Sequence, residues 1–334
     1  MKVLYIGGTG NISLSSVEKG LNDNLEMHLL TRGRSVDPPP EGARIIRADI
    51  NNPEQVEKAL KGMQFDVVVN WIAFTPEDIH RDFRLFSKRT RQYIFISSAS
   101  VYQKPLTHPV ITESTPLSNP YWDYSRDKIA CEELLNRYYR EEGFPATIVR
   151  PSHTCRNVIP AAVGSWTDFT LIDRIRKGLP VIVHGDGTSL WTIMHSEDFA
   201  RGFNGLLGNH QAIGHSFHIT SDEILTWDQI YRIMGEAAGE EPQLIHVASE
   251  TICRVADTLG MDFMRGNLLG DKAHSVIFDN TKVRRFVPGF SAEIPFRETI
   301  RRAIDWFEAD PSRKTISEDN ERLLDTILDS YRIS

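Results

Sequence analysis

The sequence lacks most of the features that would place a chain of 334 residues in a specialised class. Its three cysteines, Cys131, Cys155 and Cys253, lie far apart, which excludes a disulfide framework and the paired spacing of a zinc site. They are expected to be small buried apolar residues, and no metal site is expected. No apolar run approaches the ~20 residues needed to span a bilayer, so no membrane partner is expected. The N-terminus enters a strand pattern directly, without the basic and apolar stretches of a secretory leader, so a cytoplasmic protein is expected. There is no Lys/Arg-rich stripe. The 38 basic and 45 acidic residues leave a net charge of −7, which argues against a surface made for nucleic acid. Internal repeats and low-complexity tracts are missing too, and Pro38-Pro39-Pro40 reads as a stiff loop.

What remains is an ordinary globular composition, 40% apolar and 25% charged, long enough for one large or two joined domains. The first half alternates strands and helices. Lys2 to Ile6 is a short apolar run ending at glycines, as a buried parallel strand does. Glu26 to Leu30, Ala43 to Ala48, Phe65 to Trp71, Tyr93 to Ser98 and Ala146 to Pro151 read as further strands. Leu14 to Leu21 and Pro53 to Leu60 are helices, the second capped by Asn51 or Asn52. Strands spaced by helices, without hairpin signals, predict a parallel sheet wound on both faces. Ligands of such sheets lie beyond the carboxyl ends of the strands.

Two segments carry chemistry in that setting. In Gly7-Gly8-Thr9-Gly10-Asn11-Ile12-Ser13, Gly7 permits a tight turn and Gly10 lets backbone N–H groups approach a pyrophosphate at a helix N-terminus. Ser13 stands where a third glycine is usual. Tyr124 and Lys128 lie four residues apart, hence on one helix face. A cation near a phenol lowers its pKa from about 10 toward working pH and fits it to exchange a proton with a hydroxyl or carbonyl.

The ordered set Gly7 to Ile12, Asp66 to Ala73, Ser97 to Tyr102 and Tyr124 to Lys128 resembles the extended short-chain dehydrogenase/reductase family, which holds the NAD-dependent epimerases and dehydratases. His184 to Thr188 and Glu197 to Ala200 resemble that family's return from the substrate lobe. The resemblance implies a Rossmann-like doubly wound sheet over residues 1–153, with 181–209 returning to it. Residues 154–180 and 210–334 would form a smaller substrate lobe and C-terminal helices. It also implies Ser98 as the hydroxyl that binds the substrate oxygen, with Ser97 and Ser100 as competitors. Tyr124 would be the proton donor and acceptor, and Lys128 the residue that depresses its pKa and holds the nicotinamide ribose. Trp71, Ile72 and Ala73 would line the ribose and phosphates, Asp49 and Ile50 the adenine, and Pro151, Ser152 and His153 the nicotinamide. His153 could instead touch substrate or be structural.

After the second strand, Thr31-Arg32-Gly33-Arg34 offers no carboxylate for ribose hydroxyls but two guanidinium groups for a 2′-phosphate. This favours NADP(H) over NAD(H). The Asp-Glu pair that sugar-nucleotide dehydratases carry after the hydroxyl residue is replaced by Ala99 and Ser100, which leaves hydride transfer in reductase or epimerase form. Trp191 stands where sugar-nucleotide enzymes commonly carry a diphosphate-binding Arg, and is either a sugar-stacking face or core. Arg265, Lys272 and His274 could still bind phosphate. A carbohydrate and a sugar nucleotide thus compete as substrate. A binding protein that has lost turnover, like RNA-binding relatives, is the alternative from another class.

Trp227 to Ala238 and Ala248 to Leu259 are predicted helices, with Thr226 and Ser249 as N-caps. Pro295 to Phe307 and Ser317 to Tyr331 carry apolar stripes. A homodimer through the Tyr/Lys helix is expected from the resemblance.

Overall fold

The computed structural model describes residues 1–33 and 38–332. Arg34, one of the two guanidinium groups singled out above, lies outside them. Strands β1 (Lys2–Ile6), β2 (Glu26–Thr31), β3 (Arg44–Arg47), β4 (Phe65–Asn70), β5 (Thr90–Ile96) and β7 (Ala146–Pro151) belong to one sheet, and β6 (Val110–Ile111) lies outside it. The sheet has seven strands in the order Ser216–Ile219, β7, β5, β4, β1, β2, β3, all parallel. Ser216–Ile219, a stretch that the loosened pattern after residue 210 assigns to the smaller lobe, is the edge strand beside β7. Pro180–His184, earlier in the chain, pairs instead with Gln243–Val247 in a separate two-stranded sheet.

The continuous apolar runs have a direct cause. Val3 and Tyr5 face one core layer with Val17 and Phe203, while Leu4 and Ile6 face another with Val56 and Phe86. A strand covered on both faces keeps no polar alternation. Helices α1 (Ser13–Asn22), α2 (Pro53–Ala59), α3 (Pro76–Phe86) and α4 (Asp123–Glu142) provide the cover. Helix α2 is capped by Asn52, whose side chain accepts from the Gln55 N–H at 3.1 Å. Asn51 instead accepts from Arg81.

The C-terminal part builds a third core around Trp191, Trp227, Phe296 and Leu323. Thr226 caps Trp227–Ala238 in a reciprocal capping box with Gln229. Ser249 is the first helical residue rather than a cap, and Ala248 precedes it without a side-chain bond. The apolar stripes of Phe296–Glu308 and Glu318–Arg332 are buried in this core. All three cysteines are buried and free. No helix among the described residues is long and apolar enough to cross a membrane.

Candidate active site

A cavity of about 760 Å³ opens beyond the carboxyl ends of β1, β4, β5 and β7, between the sheet and the C-terminal lobe. Its floor is the glycine loop. Gly7 has φ +83°, and a Cβ there would come within 2.7 Å of Ile72 Cγ2, so only glycine fits without strain. At Gly10 a Cβ would meet nothing nearer than Ser13 Oγ at 3.5 Å, which leaves the backbone open to a ligand. Ser13 does more than stand in for a glycine. Its hydroxyl accepts from Gly10 N at 2.9 Å and donates to Gly7 O at 3.0 Å, tying the loop across its own turn. Asn11 ties the loop outward: its amide donates to Thr154 O at 2.8 Å and accepts from Arg156 N at 2.9 Å.

Ser98 follows β5 and Tyr124 opens α4, and both line the cavity with Lys128. The three serines separate by partner. Ser97 donates to Glu132 at 2.6 Å, and Glu132 is held by Arg150, so Ser97 is committed to the core. Ser98 lies 2.9 Å from the Ser100 hydroxyl, which also accepts from Ser125 at 2.7 Å. Ser98 Oγ also accepts from the Ser100 N–H at 3.2 Å, so it caps its turn as well. Lys128 is 1% exposed and donates to Ala73 O at 2.7 Å and Ile96 O at 2.8 Å.

One expectation is reversed. The Tyr124 phenol is pushed up to about 12, chiefly by burial, with the neighbouring Ser98 hydroxyl pulling it down and Asp271 pushing it up. Lys128 does not depress it. Its ammonium faces the carbonyls of Ala73 and Ile96, and lies 5.7 Å from the centre of the Tyr124 ring. Burial pulls Lys128 itself down to about 8.

The lobe end of the cavity carries His153, Trp166, Trp191 and Lys272. His153 stacks on Trp166 with centroids 4.2 Å apart. The Trp191 indole N–H donates to His153 Nδ1 at 3.1 Å. An indole nitrogen can only donate, so Nδ1 accepts and the remaining proton of the neutral ring sits on Nε2. Burial and Lys272 push the His153 pKa well down, which keeps the ring neutral. Its Nε2 is buried without a partner, as are Trp71 Nε1 and Ser152 Oγ nearby in the lining. Trp191 is 4% exposed and part of the core, and it also lines the cavity.

Gly7, Gly10, Asn11, Ile12, Trp71, Ile72, Ser98, Ser100, Tyr124, Lys128, Pro151, His153 and Trp191 are thus brought together on one cavity. Thr31, Arg32, Asp49, Ile50 and Ala73 do not line it. Thr31 Oγ1 accepts from Gly33 N, and Arg32 lies over half exposed, 3.9 Å from Asp49. Ile50 is buried in the core, and Ala73 reaches the site only through its carbonyl to Lys128. Of the three phosphate candidates, Lys272 lines the cavity, Arg265 pairs with Asp257 at the surface, and His274 bonds Leu269 O. Lys104, Trp166, Asn267 and Asp271 line it without any motif that marks them. The one local signal is the charged Asp271-Lys272 pair inside an otherwise apolar stretch.

The residues fit a nicotinamide dinucleotide: an open glycine cradle at a helix start, an ammonium with a free proton, and unpartnered donors at the strand ends. Comparison with known proteins agrees. The chain is 25% identical over 252 residues to 2′-dehydrokanamycin reductase of Streptomyces kanamyceticus, covering 75% of this chain and 70% of the relative. It is 26% identical over 261 residues to the chloroplast stem-loop binding protein of 41 kDa b of Arabidopsis thaliana, covering 73% and 65%. The fold is shared with UDP-glucose 4-epimerase of Thermus thermophilus, solved with NAD, at a TM-score of 0.70 and 19% identity over 92% and 99% of the chains. A family model matches residues 3–220, well over half the chain, and the protein belongs to the NAD dependent epimerase/dehydratase family.

Proposed function

We propose that this family member is an NADP(H)-linked reductase or epimerase that transfers hydride at a hydroxyl or ketone of a carbohydrate. The observation that carries the reading is the convergence of Ser98, Tyr124 and Lys128 on one cavity with the glycine loop. A nicotinamide, when bound, supplies the hydride donor or acceptor. The Tyr124 phenol keeps its proton at neutral pH, which suits donation to a carbonyl oxygen as that oxygen gains charge. In the oxidative direction the phenol must first lose its proton, which its raised pKa disfavours. Ser98 offers a hydroxyl beside Tyr124 to fix the substrate oxygen. Lys128 has two of its three protons on the Ala73 and Ile96 carbonyls and keeps one for the cofactor ribose.

The preference for NADP(H) rests on Arg32, exposed at the end of β2 and able to turn from Asp49 to a 2′-phosphate. Net reduction is supported by the relative named as a reductase. Binding of NADPH and NADH by fluorescence, followed by transfer of deuterium from labelled NADPH to a panel of keto sugars, tests the reading. Tight NADPH binding and label in the product are expected. A protein that binds neither nucleotide overturns it, and a strong NADH preference removes the cofactor assignment. The reading includes a cytoplasmic homodimer; a monomer by light scattering would remove the dimer.

The relative named as a stem-loop binding protein supports a second reading, an RNA-binding member without turnover. The net charge of −7 and the intact Ser98, Tyr124 and Lys128 set weigh against it. A gel shift with stem-loop RNA at physiological salt, together with absent hydride transfer, would establish this second reading in place of the first.

A further inference from the structure

The lobe end of the cavity holds charges that hydride transfer does not use. Lys104 is 3% exposed, lines the cavity, and has no hydrogen-bond acceptor for its ammonium among the described residues. Among the described residues Asp271 is its acidic neighbour, and His274 lies within electrostatic reach. Lys272 is 1% exposed; its ammonium donates to Asn267 Oδ1 and lies 4.9 Å from the Trp166 ring centre and 5.9 Å from that of Trp191. It closes a single turn of π-helix, Leu268–Lys272, a geometry found preferentially at functional sites. His153 adds an unpartnered, buried Nε2–H.

One acid faces these groups. Asp271 lies 3.9 Å from Lys272, within electrostatic reach of Lys104, His274 and Tyr124, and accepts no side-chain hydrogen bond among the described residues. It is the only carboxylate among the described lining residues, against Lys104 and Lys272 at this end and Lys128 at the other. Burial pulls the pKa of both Lys104 and Lys272 down, so holding either as an ammonium is costly unless a bound anion offsets it. Trp191, at the position where relatives by resemblance carry an anion-binding Arg, has its indole N–H committed to His153 and offers no charge. The positive groups at this end are Lys104 and Lys272 instead.

We propose that Lys104 and Lys272 form an anion subsite that seats a compact acidic group of the substrate, a carboxylate or a phosphate monoester. Asp271 accepts hydroxyl protons beside that group, and the Trp166 and Trp191 faces pack against the ring. The placement of the reacting carbon at Tyr124 rests on the hydride-transfer reading; the anion subsite does not.

Quenching of tryptophan fluorescence tests the subsite in the full chain, since Trp166 and Trp191 adjoin Lys272. D-Glucuronate and inorganic phosphate are titrated beside neutral D-glucose and cationic D-glucosamine, with wild type, Lys104→Gln and Lys272→Gln. NADPH binding is measured in parallel. At least one anion should bind more tightly than both controls, and which one identifies the acid. Each variant should weaken it by roughly tenfold or more, the size of one charge-assisted hydrogen bond, while NADPH binding is retained. Anions that bind no better than glucose or glucosamine, or bind unchanged when Lys104 is replaced, overturn the proposal. Should wild type bind the anion but not NADPH, the hydride-transfer reading fails and the subsite stands.

Discussion

The two ends of the cavity are built in opposite ways. At the sheet end every functional group is placed locally: Gly7 and Gly10 follow β1, Ser98 follows β5, and Tyr124 and Lys128 share one turn of α4. At the lobe end His153, Trp166, Trp191 and Lys272 come from four separate segments, joined by pairs of very short strands such as His153–Cys155 with Ile193–His195. Strand ends and helix turns fix geometry over a few residues, so the groups proposed for hydride transfer are tied to the sheet. The lobe end depends on long-range packing and can vary without disturbing those groups. The groups proposed for proton transfer and those proposed for substrate selection are thus separable, and substitutions at one end should leave the other intact.

The largest expected effect lies at the sheet end. Tyr124→Phe should reduce turnover by about 10²- to 10⁴-fold, the usual contribution of a positioned proton donor, with NADPH binding and anion quenching unchanged. Turnover equal to wild type would exclude Tyr124 as the donor. Gly7→Ala should come next. It puts a Cβ 2.7 Å from Ile72 Cγ2 and forces φ +83° on an L-residue. A loss of about 1–2 kcal/mol from the left-handed backbone alone is expected, with the clash in addition, and weaker NADPH binding. Gly185→Ala is the control: its φ is +63° with nothing within 4 Å, so it isolates the backbone effect. Equal losses in the two variants, by thermal unfolding and NADPH titration, would mean that the cradle is not close-packed.

At the lobe end, Trp191→Phe keeps an aromatic ring but removes the indole donor, leaving His153 Nδ1 buried without a partner. Its cost should be about 1–3 kcal/mol in stability. Anion quenching should change, since His153 can then swap its tautomer, while NADPH affinity stays within about twofold of wild type, less than the tenfold set by 1.4 kcal/mol. A parallel loss of NADPH affinity would break the separation between the two ends.

The same contrast decides how much of the molecule is legible in its sequence. Strands β1 to β5 and β7 and helices α1 and α2 follow from apolar runs, caps and glycines that act within a few residues, so the parallel sheet is readable, whereas α3 is not among the elements read from the sequence. The edge strand Ser216–Ile219 is not, because its short polar-mixed pattern acquires strand pairing only from β7 beside it. The spacing of Tyr124 and Lys128 puts them on one helix face, and Ser98 is singled out only by the family resemblance. That Ser97 is unavailable follows only from Glu132 and Arg150, which are brought to it by α4 and β7. Lys104 and Asn267 carry no local signal, since a buried lysine looks like any surface lysine until the chain folds round it. The direction of the Tyr124 shift is also out of reach. Spacing puts Lys128 on the right helix face, but it cannot tell whether the ammonium points to the phenol or to two backbone carbonyls.

That last point gives the smallest and most discriminating measurement. With its pKa near 12, the buried Tyr124 phenol holds its proton throughout the range in which ordinary tyrosines ionise, near pH 10. The ultraviolet difference between wild type and Tyr124→Phe, both free of nucleotide, should therefore contain no tyrosinate signal from pH 7 to pH 10. The sign follows from burial, which penalises the charged form, so for an acid such as tyrosine the proton leaves later. The neighbouring Lys128 shifts the other way for the same reason, to about 8, and loses charge as pH rises through that value. Any lowering that the ammonium could give Tyr124 would fade above pH 8, while the carbonyls of Ala73 and Ile96 hold the amine where it is. A tyrosinate band that appears below pH 9 and vanishes in Tyr124→Phe would mean the ammonium faces the phenol after all. The proton-transfer pair would then be preset in the free protein, and the sheet end would need nothing from the lobe or its ligands to become active.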